Sequence, residues 1–261
     1  MIDLHCHILP GFDDGPKTLG ESLQMVRIFL RAGYRRVVAT PHLVPGTTWM
    51  PTPSDIRNRL ARLNQAIKAE NLECRVLAGM EIALDHLIPG LLDEGRLLTL
   101  GNTPYVLIEP PFQQLPVGWE QVVFAILSRG YYILLAHPER CAQLAARPDL
   151  VDRLIASGVY FQVNWASFLG FHGRRASRMA HHLAESGSIH CLATDSHNPQ
   201  DRHAAHVKLA AAKIQNLIGR DNLLRIAGEN PQRLLRAMPL LPMIKPQPKV
   251  TVQKERRWRV W

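Results

Sequence analysis

The 261 residues carry 31 Lys and Arg against 22 Asp and Glu, a formal charge of +9, with 46% hydrophobic and 20% charged residues. That is the balance of an ordinary folded domain, and it excludes a disordered chain or a fibrous repeat. A chain this long buries an adequate core without disulfide staples, and no apolar run approaches the ~20 residues of a membrane span, so no membrane insertion is expected.

Cys6, Cys74, Cys141 and Cys191 are scattered with no Cys-x-x-Cys pair, the pattern of reduced thiols in a reducing compartment. With a motif of catalytic type where a signal peptide would lie, the expected location is cytoplasmic. The charge is uneven: Lys245, Lys249, Lys254, Arg256, Arg257 and Arg259 against Glu255 place +5 of it within residues 243–261. The remainder is too weakly basic to argue for DNA. Pro239, Pro242, Pro246 and Pro248 accompany those charges, so the division expected is a domain over 1–240 and a flexible basic tail over 241–261.

In chain order, a strand is expected over 2–7, where alternation puts His5 and His7 on one face. Gly11-Phe12-Asp13-Asp14-Gly15-Pro16 reads as a turn before an amphipathic helix over 19–32. A strand over 36–41 runs into His42, and a helix over 54–70 precedes a strand over 75–81 that ends on Glu81. A strand over 104–110 carries Glu109, and a helix over 118–130 leads to a strand over 131–137 that ends on His137, with Arg140 just beyond. A helix over 147–157, a strand over 159–164, a helix over 174–187 and a strand over 189–195 follow, the last ending on Asp195 with His197 and Arg202 beyond it. Helices over 203–218 and 231–238 close the chain. Alternation of this kind implies a parallel sheet with right-handed crossovers. Ligand types at the ends of at least six of seven strands favour an α/β barrel, whose active site gathers at the C-terminal strand ends, over an open sheet with one switch point.

The candidate metal ligands are therefore His5, His7, Asp14, His42, Glu81, Glu109, His137, Asp195 and His197. Imidazole and carboxylate without thiolate suit Mn, Fe or Zn, and nine donors suit two or three divalent ions sharing bridging carboxylates. Such centres most often hydrolyse phosphoesters, by attack of a metal-bridging hydroxide. Arg140 and Arg202 are of the right type to grip phosphate oxygens. Singly, each has a plainer reading: a strand-end histidine is more often structural than a ligand, Glu109 before Pro110-Pro111 would cap a loop, and Asp13-Asp14 suits a turn. Jointly, nearly every strand end would have to carry a ligand type by accident. Cys141 and Arg147 meet a Cys-x5-Arg spacing, but the five residues between lack a glycine for a phosphate loop and read as helix. His86, His172, His181, His182, His190, His203 and His206 fall on helical or loop segments and are expected to be surface or structural.

The run Asp3-Leu4-His5-Cys6-His7-Ile8-Leu9-Pro10-Gly11-Phe12-Asp13-Asp14-Gly15-Pro16 leads a set of motifs that match in order. They are Thr40-Pro41-His42, Gly79-Met80-Glu81-Ile82, Leu107-Ile108-Glu109, Ala136-His137-Pro138-Glu139-Arg140, Gln162-Val163-Asn164 and Thr194-Asp195-Ser196-His197-Asn198. Together they resemble the PHP (polymerase and histidinol phosphatase) superfamily. Within it they resemble most the manganese-dependent protein-tyrosine phosphatases of bacterial capsule and exopolysaccharide operons, the CpsB/CapC/YwqE type, over residues 1–235. The resemblance implies a distorted TIM-like (βα)7 barrel and Mn2+ as the metal. It implies that His5, His7, Glu81 and Asp195 hold one ion and that Glu81, Glu109 and His137 hold a second, with Glu81 bridging. Asp14, His42 and His197 would hold a third, Arg140 and Arg202 would bind phosphate, and Asp14 would assist the leaving group. It implies as partner a phosphotyrosine protein, a bacterial tyrosine kinase controlling polysaccharide export; a homo-oligomer is compatible with it. Where relatives often have basic residues after the histidine motif, this chain has His42-Leu43-Val44-Pro45-Gly46-Thr47-Thr48-Trp49, a loop expected to border the substrate. The competing readings are a PHP phosphoesterase for small esters such as histidinol phosphate or for nucleic-acid ends, and a non-catalytic kinase-binding regulator.

Overall fold

The computed structural model describes residues 1–200 and 203–244. Nine parallel strand segments are β1 (Ile2–Cys6), β2 (Arg36–Ala39), β3 (His42–Leu43), β4 (Arg75–Ala78), β5 (Glu81–Ala83), β6 (Tyr105–Glu109), β7 (Tyr132–Ala136), β8 (Tyr160–Asn164) and β9 (Cys191–Ala193). They pair in the orders β1-β2-β4 and β3-β5-β6-β7-β8-β9. Two of the seven expected strands are thus each divided. Pro41, which has no N–H to donate, separates β2 from β3, and Gly79-Met80 separates β4 from β5. The two halves stay in step: β2 pairs with β4 up to Ala39↔Ala78, and β3 with β5 from His42↔Glu81. At Gly79 a Cβ would sit 2.8 Å from Val38 Cγ1 and 3.3 Å from the Ala39 carbonyl, so the close approach at this bend requires glycine.

The ring is completed between β9 and β1. The Asp195 N–H donates to the His5 carbonyl (3.0 Å) and the His7 N–H to the Ser196 carbonyl (2.9 Å). Below them the buried Asp3 carboxylate accepts from the Thr194 N–H (3.0 Å) and hydroxyl (2.5 Å). Counting each divided strand once, the arrangement is the expected distorted (βα)7 barrel.

Around it lie α1 (Leu19–Ala32), α2 (Pro53–Ala69), α3 (Ile88–Asp93), α4 (Trp119–Leu127), α5 (Ala142–Ala146), α6 (Pro148–Ala156), α7 (Trp165–Phe168), α8 (Gly173–Glu185), α9 (Val207–Ile218), α10 (Arg220–Leu224) and α11 (Asn230–Leu234). Local chemistry sets the longer ones. Thr18 caps α1 and Gly33 ends it at φ 94°, while α2 opens on Pro53 behind a reciprocal Thr52–Asp55 capping box. Leu23, Val26 and Phe29 of α1 are buried against the sheet.

Alternation sorts the barrel interior from its outer layer. In β6, Tyr105 and Leu107 point inward while Val106 and Ile108 join the helix-facing core; in β7, Leu134 and Ala136 point inward. The base is a layer of tyrosines, with Tyr105 and Tyr132 ring centroids 4.8 Å apart and Tyr160 beside them. The same parity sends Glu109 inward at the top of β6, and Gln162 and Asn164 inward at the top of β8. The floor is closed by Leu234 and Leu240.

Two features went unexpected. Ile88-Pro89-Gly90 opens a helix, and the chain's end is helical from Arg220, passing through a π turn at Arg225–Glu229 into α11 instead of occupying 231–238. Leu241 and Ile244, assigned to the tail, are held in two-point pairs, Leu241 by Asn230 and Ile244 by Asn222, at 2.7–2.9 Å. Among the described residues, no helix is long and apolar enough to cross a membrane. Residues 245–261, most of the expected tail, lie outside the described residues.

Candidate metal centre

All nine candidate ligands meet at the C-terminal mouth of the barrel. Glu81, fully buried at the start of β5, is the hub. Its Oε1 faces His5 Nε2 (3.2 Å) and His137 Nε2 (3.0 Å), and its Oε2 faces His7 Nε2 (3.2 Å) and His42 Nδ1 (3.0 Å). Asp195 Oδ1 faces His5 (3.3 Å) and His7 (3.5 Å). Glu109 lies 3.6 Å from His42 and 3.8 Å from His137. Asp14, more than half exposed, lies 3.3 Å from His197 Nε2 and 3.8 Å from His42 Nε2. Donors within 4.8 Å of one another form four overlapping groups: His7-Asp14-His42-His197, His5-His7-Glu81, His5-His137-Asp195 and His42-Glu81-Glu109. His7 therefore faces the group expected to hold the third ion as well as that of the first.

This set fits divalent cations. Two ligands about 2.1 Å from one cation and at right angles stand about 3.0 Å apart, the separation that recurs around Glu81. His42 Nδ1 and Glu81 Oε2 are buried and 3.0 Å apart, yet neither has a hydrogen-bond partner. Buried polar atoms left so are costly unless something else satisfies them. The charge balance agrees. Burial and the Glu81 carboxylate push Glu109 up to about 7. His5 is raised to about 9, because Glu81 and Asp195 overcome a burial that would lower it. The carboxylates thus favour positive charge among them, which a cation held here would supply.

A hydrogen-bond chain fixes the ligands' orientation. Asp195 Oδ2 accepts from Asn164 Nδ2 (2.8 Å), Asn164 Oδ1 accepts from Gln162 Nε2 (2.7 Å), and Gln162 Oε1 lies 2.8 Å from His5 Nδ1. An ionised carboxylate only accepts, so each amide's direction follows, and His5 carries a proton on Nδ1, which leaves Nε2 as the nitrogen that faces the cluster and would bind a cation once its own proton is displaced. Asp13 does the same for His7. Its Oδ2 accepts from His7 Nδ1 (2.8 Å) and the His42 N–H (3.0 Å), and its Oδ1 from the Gly15 N–H (2.9 Å). Burial would raise the Asp13 carboxyl, but these bonds hold it well below the usual range. A Cβ on Gly15 would meet the His7 carbonyl at 2.6 Å, so the turn closes this tightly only with glycine. His137 and Asp195 have positive φ, 29° and 53°, an uncommon region for such residues that clusters at functional sites.

Arg140 ends the 3₁₀ turn Pro138–Arg140 after β7, donates from Nη1 to Asp195 Oδ2 (2.8 Å) and lies over the Phe112 ring at 4.5 Å. Together with Trp49, His172 and His203 it helps to line a cavity of about 460 Å³ above the cluster. Arg202 lies outside the described residues. Trp49 stacks on His42 at 5.1 Å and 6°, so the His42–Trp49 loop does border the pocket.

Sequence reasoning missed several residues here. His172 and His203 were expected to be surface or structural, yet both line the cavity. Asp13 passed for turn chemistry, and no spacing in the sequence marks it as the partner that orients His7. Glu139, fully buried in the turn before Arg140, accepts from the Asn164 N–H (2.9 Å) and Ser167 Oγ (2.7 Å), and burial raises it to about 7. Cys141 is buried at the N-cap of α5, its thiol pushed up by burial, which agrees with setting the Cys-x5-Arg spacing aside.

The fold and the site thus define a parallel (βα)7 barrel with a histidine and carboxylate cluster suited to divalent cations, beneath a cavity that Arg140 lines, at its C-terminal face. The chain belongs to the CpsB/CapC family of capsular polysaccharide synthesis, whose model matches residues 1–236. It is 34% identical over 236 residues to the tyrosine-protein phosphatase YwqE of Bacillus subtilis, covering 90% of this chain and 92% of that one. It is 32% identical to the tyrosine-protein phosphatase CpsB of Streptococcus agalactiae, over 76% and 83% of the two chains. A solved structure from work on YwqE of Bacillus subtilis and CpsB of Streptococcus pneumoniae, described as metal-dependent tyrosine phosphatases, matches with a TM-score of 0.88 at 33% identity, over 95% and 99% of the chains. A histidinol phosphate phosphatase from Lactococcus lactis, at a TM-score of 0.51 and 14% identity, shares the fold.

Proposed function

We propose that this chain is a metal-dependent protein-tyrosine phosphatase whose nine mouth residues, His5, His7, Asp14, His42, Glu81, Glu109, His137, Asp195 and His197, hold two or three Mn2+ ions. The observation that carries the reading is Glu81, each of whose oxygens lies 3.0–3.2 Å from two imidazoles, the arrangement of a bridging carboxylate. When bound, the ions supply Lewis-acid charge and bring the ionisation of the attacking water near neutral pH.

The chain's own residues do the rest. Asp195 and the Phe112 face hold Arg140 at the rim, and its remaining N–H donors are free to take phosphate oxygens as charge builds on them. Arg202 is assigned the same role. His172 is pushed down to about 3 by burial and by Arg140, so it stays neutral and adds no charge against the metals. Tyrosinate, with a pKa near 10, leaves without strong acid help. Asp14, beside His197 and His42 at the mouth, is the group assigned to assist its departure. Trp49 and Phe112 give the cavity aromatic walls on which the ring of a phosphotyrosine can stack.

The substrate in this reading is a phosphotyrosine protein, a bacterial tyrosine kinase of capsule or exopolysaccharide synthesis, met in the cytoplasm. The test is to compare turnover of a phosphotyrosyl peptide and of histidinol phosphate by the Mn2+-loaded protein. The peptide is expected to be turned over at least about tenfold more efficiently, and the reverse order would replace this reading with the small-ester one.

A further inference from the structure

Beside the Arg140 turn a second groove of about 280 Å³ opens between α5 and α8. Its floor is apolar, built from Leu144 and Met179, and its wall carries Arg175, Arg178 and His182. Arg174, Arg178 and His182 follow one another at i, i+4 along α8, and with Arg175 all four are exposed. The only acidic residue of α8 is Glu185, in its last turn. Among the described residues, neither Arg174 nor Arg178 has an ion pair. Like charges one turn apart destabilise a helix slightly, and an anion laid along the face would relieve them.

The groove adjoins the active-site mouth without sharing a lining residue with it. His172, the N-cap of α8, lines the cavity above the metal ligands, and one turn on Arg175 Nη2 lies 3.5 Å from the Arg140 carbonyl. A chain whose phosphorylated side chain reached Arg140 would have neighbouring residues within reach of this wall. An apolar floor beneath a row of guanidinium groups suits a peptide that alternates carboxylates with apolar side chains.

We propose that the α5–α8 groove is a docking site for an acidic segment flanking the phosphotyrosine of the protein substrate. The inference rests on the tyrosine-phosphatase reading above. Its test is the ratio of kcat/KM for a phosphotyrosyl peptide with Glu and Asp flanks to that for the same peptide with Gln and Asn flanks, measured on the metal-loaded full chain. Wild type is expected to favour the acidic peptide by about tenfold at low ionic strength through KM, and to lose most of that preference in about 0.5 M salt. Arg178→Glu, at an exposed position, is expected to erase or invert the preference, and Arg178→Gln to reduce it.

Equal efficiency on both peptides in wild type, or a preference untouched by Arg178→Glu, overturns the proposal. So does Arg178-dependent binding to anionic phosphatidylglycerol vesicles without peptide preference, which would assign the face to a membrane surface. Free phosphotyrosine is the separate control. If neither it nor either peptide is hydrolysed, the activity reading falls and this inference with it; if the peptides are hydrolysed equally, only the docking site falls.

Discussion

Asp13 holds His7 through one carboxylate oxygen and, through the His42 N–H, sets the backbone at a second ligand. Removing such an orienting partner typically costs 10–100-fold in metal affinity or activity. Asp13→Ala is therefore expected to weaken Mn2+ binding about 10–100-fold, read by titrating metal into chelated protein while following turnover. An unchanged titration would mean that His7 is positioned without it. The nine candidate ligands that the structure brings together could be read in the sequence because each ends or closely follows an apolar run, where a barrel gathers side chains. Asp13 and Glu139 could not, because a turn's composition does not say which side chain folds inward. His172 and His203 reach the cavity only through the packing of α8 and of the segment before α9, and no local period reports that.

Where β8 passes β9, the Phe161 N–H donates to Nδ1 of the buried His190 (3.0 Å), so the ring is held neutral with its proton on Nε2. Burial lowers its pKa from 6.5 to about 4. The unfolded chain thus takes up this proton more readily than the folded one. Stability from this site is complete above pH 6.5 and declines as pH falls towards 4, by about 3 kcal/mol in all. His190→Asn offers an oxygen acceptor that does not titrate, so urea unfolding at stepped pH should show a shallower acid decline in the variant by about that amount; parallel curves would deny His190 the role. The strands were legible from their β-branched and aromatic runs, and the long helices from their caps and apolar stripes. The divisions at Pro41 and Gly79 were hidden because β2 and β3, like β4 and β5, share one continuous apolar pattern and differ only in backbone hydrogen bonding. Ile88–Asp93 was missed because Pro89 and Gly90 read as turn residues, although Pro is well tolerated in a first helical turn.

The barrel's base and mouth make different demands on the whole molecule. At the base, Asn230 and Asn222 bond the backbone at Leu241 and Ile244, and Met243 is buried. A chain ending at Leu240 loses those bonds and leaves both amides partly unsatisfied, so it is expected to be less stable by about 2–4 kcal/mol than one ending at Ile244, measured by urea unfolding. Equal midpoints would show that the pairs contribute nothing. At the mouth, histidines and carboxylates converge on a site suited to cations, while the apolar core lies below and around the site and needs no ion to form. Chelation should therefore abolish activity and leave the fold in place. The most direct test removes metal with a chelator, confirms retained secondary structure by circular dichroism, and adds back Mn2+, Fe2+ or Zn2+ singly while following phosphate release from a phosphotyrosyl peptide. Activity lost on chelation and restored most fully by Mn2+, with the circular dichroism unchanged throughout, is the predicted result. Undiminished hydrolysis in the metal-free protein would contradict it.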